Sequence, residues 1–272
     1  MFLVGVSPAR AATIAAKNVK RDVLNLTVVV DIRSAGRRPE WRGAPRSDKE
    51  EKMEFINRTH AGRLLAKKLD EYANRSDVVV LALPRGGVPV AYEVAHALNA
   101  PLDVILVRKL GVPGHEELAM GAIASGGVRV MNKYVVQRLG ISDHFIDKVT
   151  AKEQRELERR ERLYRGSEEP LDLGGRTVIV VDDGLATGST MTAAVDAIKR
   201  MKPSEIVVAA PVASYDACAF FNALVDSTCV CFMSPEPFDG VGRWYRDFPQ
   251  TTDDEVCYLL KHSKQPTRKH AA

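Results

Sequence analysis

Aromatic residues are scarce in this chain, at 6%, and it has only four cysteines in 272 residues. Cys218, Cys229, Cys231 and Cys257 form no Cys-x-x-Cys and have no matching His pair, which argues against a zinc site. They read as core thiols in a reducing cytoplasm, the location expected for the protein. No apolar run reaches the ~18 residues that cross a membrane. Residues 1–6 are apolar, but with no preceding basic residue they make a poor signal peptide. No Gly-Lys-Ser/Thr follows a Gly-rich loop and no Gly-x-Gly-x-x-Gly occurs, so the Walker and dinucleotide fingerprints are both missing. Excess charge is missing too, outside one segment. Residues 1–52 hold 11 Lys/Arg against 6 Asp/Glu, and the remainder holds 28 against 29. The net +4 is therefore no argument that the globular part binds nucleic acid, and neither nucleic acid nor membrane is an expected partner.

Apolar residues make up 45% of the chain, enough to bury a full core. The most informative stretch is Val178-Ile179-Val180-Val181-Asp182-Asp183-Gly184-Leu185-Ala186-Thr187-Gly188-Ser189-Thr190. Four β-formers end in paired carboxylates, a small-residue loop follows, and residues 191–201 read as a helix. In open α/β sheets ligands bind at this edge. Amides that open a helix lack partners and sit at the positive end of its dipole, so the loop suits a phosphate. Asp182 and Asp183 instead want hydroxyl donors or a cation. A phosphate beside a sugar diol reads as a ribose 5-phosphate site. The plainer alternative is an Asp-Asp turn capping an ordinary helix.

A second strand, residues 77–83, runs into Pro84-Arg85-Gly86-Gly87 and a helix over 88–98. This loop has an Arg, two Gly and no acid, so it favours an anion. A third strand, 102–107, ends in Arg108-Lys109, which read either as anion-neutralising or as solvated charges. Leu110-Gly111-Val112-Pro113-Gly114-His115-Glu116-Glu117 and the Gly/Ala-rich stretch to Gly127 are expected to form a mobile loop.

The run at 178–190 resembles the signature of type I phosphoribosyltransferases, which bind phosphoribosyl pyrophosphate (PRPP) with Mg²⁺. The resemblance covers residues 53 to about 261, and is strongest to predicted members of unassigned acceptor. It implies ribose hydroxyls and Mg²⁺ at Asp182 and Asp183, the metal held mainly through water and PRPP. It puts the 5-phosphate on Ala186, Thr187, Gly188, Ser189 and Thr190, and pyrophosphate on Arg85, Gly86 and Gly87. It makes the mobile loop a lid bearing His115, Glu116 and Glu117, with Arg108 and Lys109 beside the leaving pyrophosphate. A hood carrying Phe238, Trp244 and Tyr245, or the segment 55–59, would meet the acceptor. The implied reaction transfers the phosphoribosyl group to a nitrogen acceptor such as a nucleobase and releases pyrophosphate. Members acting on 6-oxopurines carry an Asp where this chain has Ala186, which argues against those bases. The alternatives are a PRPP-sensing regulator without turnover, or a hydrolase or phosphotransferase acting on a ribose phosphate.

The expected architecture is α/β: a mostly parallel twisted sheet flanked by helices, with a small hood and the lid. Strands are expected near 78–83, 102–107, 128–131, 177–181, 205–210 and 228–232, with helices over 59–74, 88–98, 191–201 and 215–224. Ile146, Val149, Leu157 and Tyr164 space as the apolar stripe of a long helix over 142–165, a candidate contact in a homodimer. Thr252-Asp253-Asp254-Glu255 has capping-box spacing and starts the last helix. Residues 1–52 are expected to be a loosely ordered extension, with Met53 near the domain start. Residues 53–262 would form the domain and 263–272 a polar tail.

Overall fold

The computed structural model describes residues 55–263, apart from 168, 224–226 and 234–237. The expected N-terminal extension, the start at Met53 and the tail from 264 onward lie outside the described residues. In chain order the elements are α1 (Arg58–Lys68), β1 (Val78–Ala82), α2 (Gly87–Leu98), β2 (Leu102–Val104), β3 (Val107–Val112), β4 (His115–Ala124) and β5 (Val128–Met131). There follow α3 (Lys133–Arg138), α4 (Asp143–Arg165), β6 (Thr177–Val181), α5 (Ser189–Arg200), β7 (Glu205–Val212), α6 (Tyr215–Ala223), β8 (Ser227–Met233) and α7 (Asp253–His262).

Five strands make a wholly parallel sheet in the order β2-β1-β6-β7-β8. All residues of β1 and β6 are buried, because both faces of the sheet are covered and every side chain meets a helix. Val78, Val80, Ala82, Ile179 and Val181 pack toward α1, α2 and α7; Val79, Leu81, Val178 and Val180 pack toward α5 and α6. Each fully buried Val, Leu or Ile contributes about 1.5–3 kcal/mol, so the all-apolar strands are what fix the layers. Cys218 on α6 and Cys231 on β8 lie with sulfurs 2.9 Å apart.

From β1 the chain moves outward to β2, whereas from β6 it moves the other way to β7 and β8. The crossovers diverge between β1 and β6, and this divergence opens a crevice at their C-terminal ends. Leu83 donates to the Val181 carbonyl (2.9 Å) and holds the two exits side by side.

The expected loop over 110–127 is instead an antiparallel hairpin, β3–β4, turned at Pro113-Gly114 and joined by β5 in a separate three-stranded sheet. The strand at 128–131 thus belongs to that sheet and not to the parallel one. The glycines that signalled a loop serve other ends. Gly111 sits at a register shift, and a Cβ on Gly121 would lie 2.4 Å from the Val130 carbonyl oxygen. Leu110, Val112, Met120 and Ile123 are buried, which anchors the hairpin against the helices.

The long helix and the capped last helix are as expected: Ile146, Leu157 and Tyr164 are buried, and Thr252 accepts from the Glu255 amide. The helix expected over 59–74 ends earlier, at Lys68, and is followed by a 3-10 turn, Asp70–Tyr72. Buried Asp103 on β2 accepts from Arg165 Nε (2.9 Å) and from the amides of Val104 (2.7 Å) and Leu171 (3.2 Å).

Candidate functional site

Beyond β6 the chain enters the crevice. Asp183 N donates to Asp182 Oδ1 at 2.8 Å, closing the acid pair on itself. The loop is then fastened along one edge: Leu185 N donates to the Val212 carbonyl (2.9 Å), and Ser214 Oγ donates to the Ala186 carbonyl (2.6 Å). Gly188 adopts φ +69°, a conformation that glycine takes without a Cβ penalty, and a Cβ there would lie 3.0 Å from the Phe221 ring. Thr187, Ser189 and Thr190 stay exposed; Gly188 at the cap of α5 offers no side chain, and Thr187 Oγ1 accepts from the Ser189 amide at 3.4 Å. The Thr187 and Ser189 hydroxyls lie 3.1 Å apart beside its first turn. That is an anion cradle.

The Arg-Gly-Gly loop after β1 lies directly on the acids. A Cβ on Gly86 would be 2.0 Å from Asp183 Oδ2, and one on Gly87 would be 2.7 Å from the Val181 carbonyl oxygen. Both positions need glycine because of this close approach. The Pro84–Arg85 peptide is cis. Arg85 lies 3.9 Å from Asp253 at the start of α7, an aspartate that also accepts from the Tyr164 hydroxyl at 2.6 Å.

One residue that sequence reasoning missed governs the acid pair. Arg58 Nε donates to Asp183 Oδ2 at 2.8 Å. A signal was present: Arg58 opens α1, where the helix dipole disfavours a cation and no acid compensates it in the first turn. Burial and the neighbouring Asp183 charge push the Asp182 carboxyl well above the usual range. Burial also raises Asp183, opposed by its hydrogen bond from Arg58. With both carboxylates ionised, two negative charges face one guanidinium.

The hood is assembled from both ends of the described chain. Phe55 bridges Tyr245, and Phe238, Val241, Trp244 and Phe248 pack around them. Tyr245 donates to the Asp183 carbonyl (2.6 Å) and lies between Phe55 and Phe248, with centroids 5.3 and 4.8 Å away. Burial pushes its hydroxyl far up. With both neighbours in place, Tyr245 serves as a plug. Phe238 and Trp244 sit at the hood's partly buried rim, where the buried Trp244 indole nitrogen has no hydrogen-bond partner among the described residues.

Arg108, Lys109 and Glu116 line a cavity of about 540 Å³ between the hairpin and α4, together with Gly114, Lys152 and Glu153. There Arg108 Nε pairs with Glu153 at 2.8 Å. His115, Glu116 and Glu117 open β4, and His115 is exposed. The structure therefore gathers Arg85–Gly87 with Asp182–Thr190 in one crevice, and the lid residues around the hairpin.

Among the described residues no cluster of three or more His, Cys, Asp or Glu could enclose a metal ion. Asp182 and Asp183, with their single counter-cation, nonetheless fit a divalent ion that draws its remaining ligands from water and substrate oxygens.

A sequence profile of the phosphoribosyl transferase domain matches residues 56–217. A predicted phosphoribosyl transferase of Mycobacterium tuberculosis is 46% identical over 206 residues, 76% of this chain and 46% of that protein. The match thus spans about half the length of that relative. The bifunctional protein PyrR of Chloroflexus aurantiacus is 32% identical over 128 residues, 46% of this chain and 64% of that protein. The crystal structure of the Thermus thermophilus protein TT1426 shares 39% identity and a TM-score of 0.68, covering 77% of this chain and 99% of that one.

Proposed function

The chain belongs to the phosphoribosyl transferase domain family, and from that premise we propose that it binds PRPP with Mg²⁺ and transfers the phosphoribosyl group to a nitrogen acceptor, releasing pyrophosphate. The observation that carries this reading is the packing of two unlike loops at the β1/β6 divergence. One holds Arg85, Gly86 and Gly87 and no acid; the other holds Asp182 and Asp183 followed by a helix start with exposed hydroxyls. PRPP has matching parts in matching order: a pyrophosphate, a diol and a 5-phosphate. The M. tuberculosis relative, named for phosphoribosyl transfer, supports that part of the reading.

In this reading the N-terminal amides of α5, with Ala186, Thr187, Gly188, Ser189 and Thr190, take the 5-phosphate. Asp182 and Asp183 accept from the ribose hydroxyls. The C1–oxygen bond to pyrophosphate breaks, with its electron pair leaving on pyrophosphate, while the acceptor nitrogen bonds C1 and gives up its proton to the departing pyrophosphate or to water. Arg85 offsets the charge that leaves; Lys109 on the hairpin would add to this, while Arg108 is already paired with Glu153. A divalent ion at the acid pair would add positive charge beside the pyrophosphate. The residues do little covalent chemistry; they position and stabilise charge. The hood would take the acceptor, and Ala186 disfavours 6-oxopurines.

The test is a panel of nucleobases with PRPP and Mg²⁺, read as pyrophosphate release. Acceptor-dependent release is the expected result. Release without any acceptor would replace transfer by hydrolysis, and tight PRPP binding with no release would replace it by sensing.

A further inference from the structure

We propose that Arg58 is a positioning residue that locks the Asp183 carboxylate in its ligand-gripping orientation before any ligand arrives. The inference rests on the PRPP reading of the site and deepens it.

The guanidinium is held on three sides. Nε donates to Asp183 Oδ2 (2.8 Å), Nη1 donates to the Pro249 carbonyl (2.6 Å), and Cζ lies 3.7 Å above the Phe248 ring. Its side chain is 11% exposed and that of Asp183 is 14% exposed, so the pair is shielded from water. A planar fork held at a carboxylate, a carbonyl and an aromatic face fixes direction as well as charge, which an ammonium would not. Asp183 is gripped from the main chain too, since the Tyr245 hydroxyl donates to its carbonyl. The clamps come from positions 125 residues earlier and 62 residues later in the chain. Gly86 approaches the same carboxylate so closely that a Cβ there would fall 2.0 Å from Oδ2. Two adjacent acids left to themselves would turn apart. Arg58 engages Oδ2, sets the plane of the carboxylate and leaves its other oxygen uncommitted to the guanidinium. The ribose hydroxyl then meets an acceptor already in place, and ordering costs little on binding.

The role separates from mere bracing of the hood by a double-mutant cycle on PRPP affinity. Calorimetry with Mg²⁺ is run on wild type, Arg58→Ala, Asp183→Asn and the double variant, with thermal midpoints in parallel. Arg58→Ala should weaken PRPP about tenfold in wild type and less than about twofold when Asp183 is already Asn. Arg58→Lys should recover only part of the loss, and it carries the same cycle if the alanine variant does not fold. Multiplicative losses, or full affinity in Arg58→Ala, would overturn the inference while leaving the PRPP reading standing. Wild type that does not bind PRPP would overturn both.

Discussion

The two ends of the parallel sheet carry similar chemistry in opposite surroundings. Where β1, β6 and β7 begin, Asp77 and Glu205 meet Arg75, Thr177 and Tyr72. Arg75 makes a fork onto Asp77 at 3.2 and 2.7 Å, its Nη2 also reaches the Thr177 hydroxyl, and Tyr72 donates to Glu205 at 3.3 Å. Where β1 and β6 end, Asp182 and Asp183 meet Arg58. In each place one arginine serves two acids. The difference is water: the Arg75 and Asp77 side chains are 38% and 46% exposed, against 11% and 14% for Arg58 and Asp183. The Arg75 hydrogen bond therefore holds the Asp77 carboxyl below its usual range, while burial pushes Asp182 and Asp183 up. One edge is settled and serves the fold. The other leaves two largely buried acids on one guanidinium.

The comparison breaks most sharply at Gly86. A Cβ there displaces a carboxylate that Arg58 already pins, so Gly86→Ala should weaken PRPP more than about 100-fold by calorimetry. Gly127→Ala, whose Cβ meets nothing within 4 Å, should leave PRPP affinity unchanged although φ +72° strains it. Asp182→Asn sharpens the contrast in two directions. The raised pKa means that folding favours the protonated form, so stability is full below the unfolded value and falls as pH rises through the folded one. At pH 7 the variant should melt about 2–4 °C higher than wild type. PRPP affinity should drop about 10- to 100-fold, the worth of a charge-assisted hydrogen bond.

The same change at the other edge should invert. Asp77 has a lowered pKa, so its contribution is present above the unfolded value and lost as pH falls through the folded one. Asp77→Asn should lower the melting point at pH 7 by about 2 °C or less, begin to converge with wild type only as pH falls below about 4, and leave PRPP affinity intact. The smallest effect belongs to Tyr72, which burial pushes up to about 12. Its neutral form is favoured by folding, so that contribution is lost as pH rises past about 10 toward 12. Tyr72→Phe should match wild type within a degree or so at pH 7, with a shallower decline in alkaline melts. A steeper decline would put the tyrosine outside the network.

Much of this was legible because single residues announced it locally. Four consecutive apolar β-formers fix a strand covered on both faces, and two acids before small residues fix the turn that follows. The cap at Thr252 and the stripe at Ile146, Leu157 and Tyr164 are equally local. Glycine misled at 111 and 121, because chain freedom and close approach both ask for a missing side chain; buried Leu110, Val112 and Met120 argue for the second. Arg58 escaped notice because its partner lies 125 residues away, and only its awkward place at a helix start hinted at one. Tyr245 is aromatic as a stacking platform should be, yet its neighbours on both sides make it packing.

The carboxylate of Asp103 has a consequence of a different kind. It ties the segment just leaving β2 to Arg165 at the end of α4 and to Leu171 beyond. The whole excursion through the hairpin and the long helix thus departs and returns at one buried staple. Loosening that one carboxylate would free both ends of the excursion together, leaving buried residues such as Leu110, Met120 and Ile123 as its remaining hold on the core.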